Sequence, residues 1–188
     1  GRRYQLLHTG SNPSWWVRNL SVILNAPKAD LFIFYPPGAR GDFLASVIKD
    51  EFYLYYQNYT MTAPKGYQKS HWVNEIAKHG ISAHYRTRIR IRLNTLDDFL
   101  TVLHLWEEKL PVWASQEELL ALLIKDELIA RTFTSLFTHI VDFSNLFDVE
   151  FIDKLYREIN GKPMSDTTKA QIKHNLSLQP RATISYKP

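Results

Sequence analysis

The run Leu31-Phe32-Ile33-Phe34-Tyr35 is apolar without a break, ends at Pro36-Pro37, and passes through Gly38-Ala39-Arg40-Gly41-Asp42 into a second apolar pattern. A strand made from it has no face that suits water. Such a strand belongs to a parallel sheet covered by helices on both sides. The residues that follow, Phe43, Leu44, Val47, Ile48, Phe52 and Tyr55, recur at helical spacing and predict one helix. Strand, glycine turn and helix therefore come in direct succession.

The rest of the chain repeats the alternation. Residues 15–25 predict a short helix after an N-terminal arm over 1–11, and 56–66 read as a loop marked by Asn58, Pro64 and Gly66. Residues 72–78 predict a short helix ended by Gly80. Arg86, Arg88, Arg90 and Arg92 then alternate with Thr87, Ile89 and Ile91, which predicts a strand with one basic face. Thr95 with Asp98, and Ser115 with Glu118, have the spacing of N-terminal capping pairs for two helices. Residues 137–143 predict a strand, and 148–160 and 166–178 predict helices, the first ended by Gly161. One α/β domain over 1–188 is expected: three layers, a mainly parallel sheet flanked by helices.

Composition narrows the function classes. Of 188 residues none is cysteine, which excludes disulfides, thiolate metal sites and a cysteine nucleophile and fits a reducing compartment such as the cytoplasm. There is no apolar run long enough to span a membrane, and the opening residues lack the apolar core of a secretory leader. The net charge of +4 permits an anionic ligand but is too small to imply nucleic acid. His8, His71, His79, His84, His104, His139 and His174 have no ligand spacing, so no metal is expected.

A glycine turn between a strand and a helix makes an anion site. The first amides of the helix point outward and its dipole favours negative charge there. Pro37, Gly38, Ala39, Arg40, Gly41, Asp42 and Phe43 would line it, with Arg40 as a bidentate grip. Asp42 opposes this, since a carboxylate beside a phosphate costs affinity. The segment has no Gly-Lys-Ser/Thr, so it is not a nucleoside-triphosphatase loop. A tight connection without a ligand is the alternative. The four arginines have two readings as well: a solvent-facing or edge strand, with Asp97, Asp98, Glu107 and Glu108 as partners, or a groove for a sulfated or phosphorylated ligand.

Three segments in order resemble the sulfotransferase superfamily, whose donor is 3′-phosphoadenosine 5′-phosphosulfate. FYPPGARGDFL looks like that family's strand and phosphosulfate loop, Tyr-Pro-Lys-Ser-Gly-Thr-Thr-Trp-Leu. RIRIRLNTLDDFLTVLHLW is similar to its strand ending in Arg-Asn-Pro, with Arg92 at the arginine, Asp97 or Asp98 at the acidic position and Thr101 near the serine. HIVDFSNLFDVEFIDKLYREINGKP looks like its Tyr-Glu-Asp-Leu segment, through Asp142, Phe143, Leu146 and Gly161. The loop departs from the pattern: Gly38 stands at the lysine, and Ala39, Gly41 and Asp42 replace the hydroxyls.

The resemblance implies a P-loop-like sulfotransferase architecture and transfer of sulfate to a hydroxyl or amine of a small molecule or glycan. It implies Arg92 and Thr101 on the 3′-phosphate and a histidine base after a second strand. His84 is the first candidate for that base and His104 the second, and Arg40 would face the leaving group. A non-catalytic module on this fold, or another phosphate-ligand transferase, are the rival readings.

Overall fold

A computed structural model describes residues 30–57, 64, 66–79, 85–107 and 115–178. Four strands, β1 (Leu31–Phe34), β2 (Tyr67–Ser70), β3 (Thr87–Arg92) and β4 (His139–Asp142), pair in the order β2-β1-β3-β4, all parallel. The helices are α1 (Gly41–Ile48), α2 (Phe52–Gln57), α3 (Val73–His79), α4 (Leu96–Glu107), α5 (Gln116–Ala130), α6 (Val149–Asn160) and α7 (Asp166–Leu178). Short 3-10 turns at Arg131–Leu136 and Phe143–Phe147 flank β4.

β1 lies inside the sheet, and both its faces are buried, as its unbroken apolar run demands. Leu31 and Ile33 pack with Leu44, Ala45 and Ile48 of α1 and Leu155 of α6. Phe32 and Phe34 pack on the other side with Val73 and Ile76 of α3 and Ala130 of α5. The described chain is therefore a three-layer α/β fold. None of its described helices is long and apolar enough to cross a membrane.

Both capping pairs read from the sequence form. Thr95 Oγ1 accepts from the Asp98 amide at 3.1 Å, while Asp98 accepts from the Thr95 amide at 3.1 Å and the Asn94 amide at 2.9 Å. Ser115 and Glu118 exchange the same two bonds at the start of α5.

Three expectations change. The single helix expected through Tyr55 is two, because Asp50 turns left-handed at φ 56° and Lys49 closes α1. Aspartate tolerates that conformation, and its carboxylate is held there by Tyr156 Oη at 2.5 Å and Lys162 at 3.6 Å. β2 was not foreseen. The arginine-bearing strand β3 is internal, and its basic face is graded: Arg90 is buried, Arg88 and Arg92 are partly buried and Arg86 is exposed. Arg90 is buried against Glu127 of α5. Arg88 donates to the carbonyls of Leu136 at 2.8 Å and Tyr85 at 2.7 Å, and Arg92 pairs with Asp142 at 2.8 Å. Burial forces this pairing, since an unpartnered guanidinium under a helix is prohibitively costly. The expected helix over 15–25 and the arm over 1–11 lie outside the described residues.

Candidate anion and proton-transfer site

In an open parallel sheet, ligands collect outside the carboxyl ends of the strands where the strand order reverses direction. Here the chain steps from β1 outward to β2, then returns past β1 to β3 and β4. The turn over 35–42 leaves β1 at that point.

Its shape is set by a buried aromatic ring. A methyl group on Gly41 would lie 2.1–2.3 Å from Tyr35 ring carbons. Gly41 is thus required by the Tyr35 ring, which covers its Cα. Gly38 takes φ 86° and Ala39 is buried, its amide donating to the Pro36 carbonyl at 3.0 Å. Pro37 is half-buried. Arg40 holds the N-cap of α1 in the left-handed region, φ 64° and ψ 28°. An arginine has no acceptor and cannot cap the helix, and the first-turn amides of a helix have no partner within it.

The side chains of the turn diverge. Arg40 turns into the protein, 4.1 Å over the Phe43 ring and 5.2 Å from that of Phe147, and donates to Asn175 Oδ1 at 3.4 Å. Burial lowers its pKa below the usual guanidinium range. Asp42 turns the other way, accepting Lys69 Nζ on both carboxylate oxygens at 3.0 Å. Lys69 belongs to β2, where its register partner is Ile33 of β1. The Tyr35 and Tyr67 hydroxyls lie beside each other and beside Asp42. Burial is the main cause that pushes both phenols well above the ordinary tyrosine range, so they remain protonated donors. Tyr67 Oη is buried and completes no hydrogen bond of ordinary geometry among the described residues.

One residue beyond β2 stands His71. Its Nδ1 lies 3.1 Å from the Tyr35 carbonyl oxygen, and its ring meets the Tyr35 ring edge-on at 4.7 Å. A carbonyl only accepts, so this bond requires the proton on Nδ1. The neutral ring then carries its lone pair on Nε2, the form a general base needs. Two bonds fix the segment behind it: Ser70 Oγ donates to Glu75 at 2.6 Å, and the Val73 amide donates to Asp126 at 3.0 Å.

His84 is outside the described residues. His104 is exposed in the last turn of α4. Thr101 is buried, and its hydroxyl proton goes to the Asp97 carbonyl at 2.7 Å. Arg92 ends β3, two residues past the Arg90–Phe34 pairing and so level with the turn, with its side chain 38% exposed beside Asp142.

The turn, Lys69 and His71 come together, while the Arg40 side chain turns away from them into the protein. Lys69 and His71 were missed because β2 was missed. His71 directly follows β2, the strand that pairs with β1. Comparison with protein-family models, with curated proteins and with solved structures finds no match.

Proposed function

We propose that this chain binds the phosphosulfate end of 3′-phosphoadenosine 5′-phosphosulfate at the β1–α1 turn and transfers sulfate to a hydroxyl or amine. One observation carries the reading. Lys69 and His71, from the strand beside β1, stand at the turn that begins α1. The missing loop lysine is made good by a cation from the neighbouring strand.

The residues fit the donor as follows. The α1 amides and Lys69 would hold its sulfuryl end, and Arg92 lies level with the turn for a second anionic group. When bound, the donor supplies an activated sulfuryl group. His71 Nε2 takes the proton of the acceptor hydroxyl as its oxygen bonds to sulfur. Lys69 donates to the bridging oxygen that leaves with the electron pair of the broken S–O bond. The acceptor proton ends on His71 and returns to solvent.

A second reading, a non-catalytic module of this fold, is favoured by the ring of Tyr35 on Gly41 and by the Asp42 carboxylate in the first turn. Release of 3′-phosphoadenosine 5′-phosphate in the presence of simple phenols, alcohols and amines separates the two. The enzyme reading predicts release that falls about 100-fold or more in His71→Ala, the usual weight of a general base, with donor binding retained. Donor binding without release in any acceptor mixture would leave the module.

A further inference from the structure

We infer that the outward face of α5 docks against the same face of a second copy of this chain, the two helices running antiparallel about a two-fold axis near Lys125. The inference does not depend on the donor site.

α5 is apolar on two sides. Leu119, Leu123 and Ala130 are buried, and Glu127 is buried with them against Arg90. Leu122, Leu128 and Ile129 are 45%, 57% and 40% exposed. At about 3.6 residues per turn these three share one stripe with Ala121 and Lys125, which are exposed too. A helix apolar all round belongs inside protein, and a contiguous exposed apolar stripe marks a contact surface.

The order of residues along the stripe selects a second copy as the occupant. Leu122 and Leu128 stand equally far from Lys125 on either side, and so do Ala121 and Ile129. A two-fold axis at Lys125 therefore sets Leu122 against Leu128 of the second copy, and Ala121 against Ile129 of the second copy. A small residue then faces a large one, which lets the ridges of the two helices interdigitate.

The charges at the two ends agree with this direction. Glu117 is exposed in the first turn of α5. Arg131 follows the last residue of α5, half-exposed and 4.0 Å from Glu127. Antiparallel copies bring each acidic start beside the other's basic end. Parallel copies would set acid against acid and align the two helix dipoles. Lys125 sits at the centre, where its stem extends the apolar surface while its ammonium reaches water at the rim.

The test is sedimentation velocity on the full chain from about 1 to 100 μM, a range that brackets a micromolar dissociation constant. The wild type is expected to shift from monomer to dimer across it. Leu128→Glu and Leu122→Glu, their folds checked by thermal melting, should each weaken the dimer about tenfold or more, since each buries a charge in the contact. Direction is read by disulfide trapping, which is clean because the chain has no cysteine. Lys125→Cys should give a linked dimer on mild oxidation, and Glu117→Cys alone should not.

A wild type that stays monomeric throughout would overturn the inference, and a fall in melting temperature on Leu128→Glu would then show that the chain itself covers this face. A dimer that both glutamate variants leave intact would overturn it as well. So would trapping through Glu117→Cys in place of Lys125→Cys, which would mean parallel helices.

Discussion

At the scale of single residues, Gly41 and Tyr35 act as one unit. The ring occupies the space of a Cβ at 2.1–2.3 Å, and Tyr35 itself is buried. Gly41→Ala must push a packed ring out of a core rather than the free end of a flexible chain. It is expected to destabilise the fold by about 2 kcal/mol or more, within the range for overpacking. Chemical denaturation of Gly41→Ala, Tyr35→Leu and the double variant checks this. The alanine should cost much less once the ring is gone, and additive effects would show that the ring is not what requires the glycine. The same residues show why the turn was only half legible. Its glycines could be read from the sequence as an anion cradle or as a bare connection. The structure gives Gly41 a third use, as room for a ring, which no local pattern announces.

At the scale of elements, local chemistry was legible and pairing across the chain was not. The boxes Thr95/Asp98 and Ser115/Glu118 are complete within four residues, and both form. β1 was legible because Leu31 to Phe34 leave water no face. β2 was not, because Tyr-Gln-Lys-Ser is short, polar and exposed at its two middle residues, and only its register with β1 makes it a strand. Lys69 and His71 stayed hidden with it. The arginine alternation of β3 was legible as a face, but its depth depends on Glu127, 37 residues along the chain.

The tie between α3 and α5 can be tested by its pH dependence. Burial raises the Asp126 carboxyl above its ordinary value of 3.8, the Val73 amide opposes this, and Glu75 adds to it. A raised folded-state pKa means the native state binds the proton more tightly than the unfolded chain. The wild type therefore loses part of its stability as pH rises from the unfolded value through the folded one. Asp126→Asn should flatten that stretch of the stability curve in urea titrations at successive pH values, since Oδ1 can still accept from Val73. An unchanged slope would mean Asp126 is not the group responsible.

For the whole molecule, the parallel order β2-β1-β3-β4 places the turn, Lys69 and His71 at one end of the sheet, next to the point where the strand order reverses. The three layers follow from the alternation of strands and helices in the sequence. The order of the strands does not, because it depends on which strand finds β1, and β2 does so through four unremarkable residues. The measurement that tests the central claim most directly is the melting temperature of the full chain with 3′-phosphoadenosine 5′-phosphosulfate, against ATP, GTP and a sugar nucleotide. At a ligand concentration a hundred times its dissociation constant, a selective rise of about 5 °C or more is expected, largely lost in Lys69→Ala. No rise at millimolar donor, or an equal rise with every nucleotide, would contradict the account.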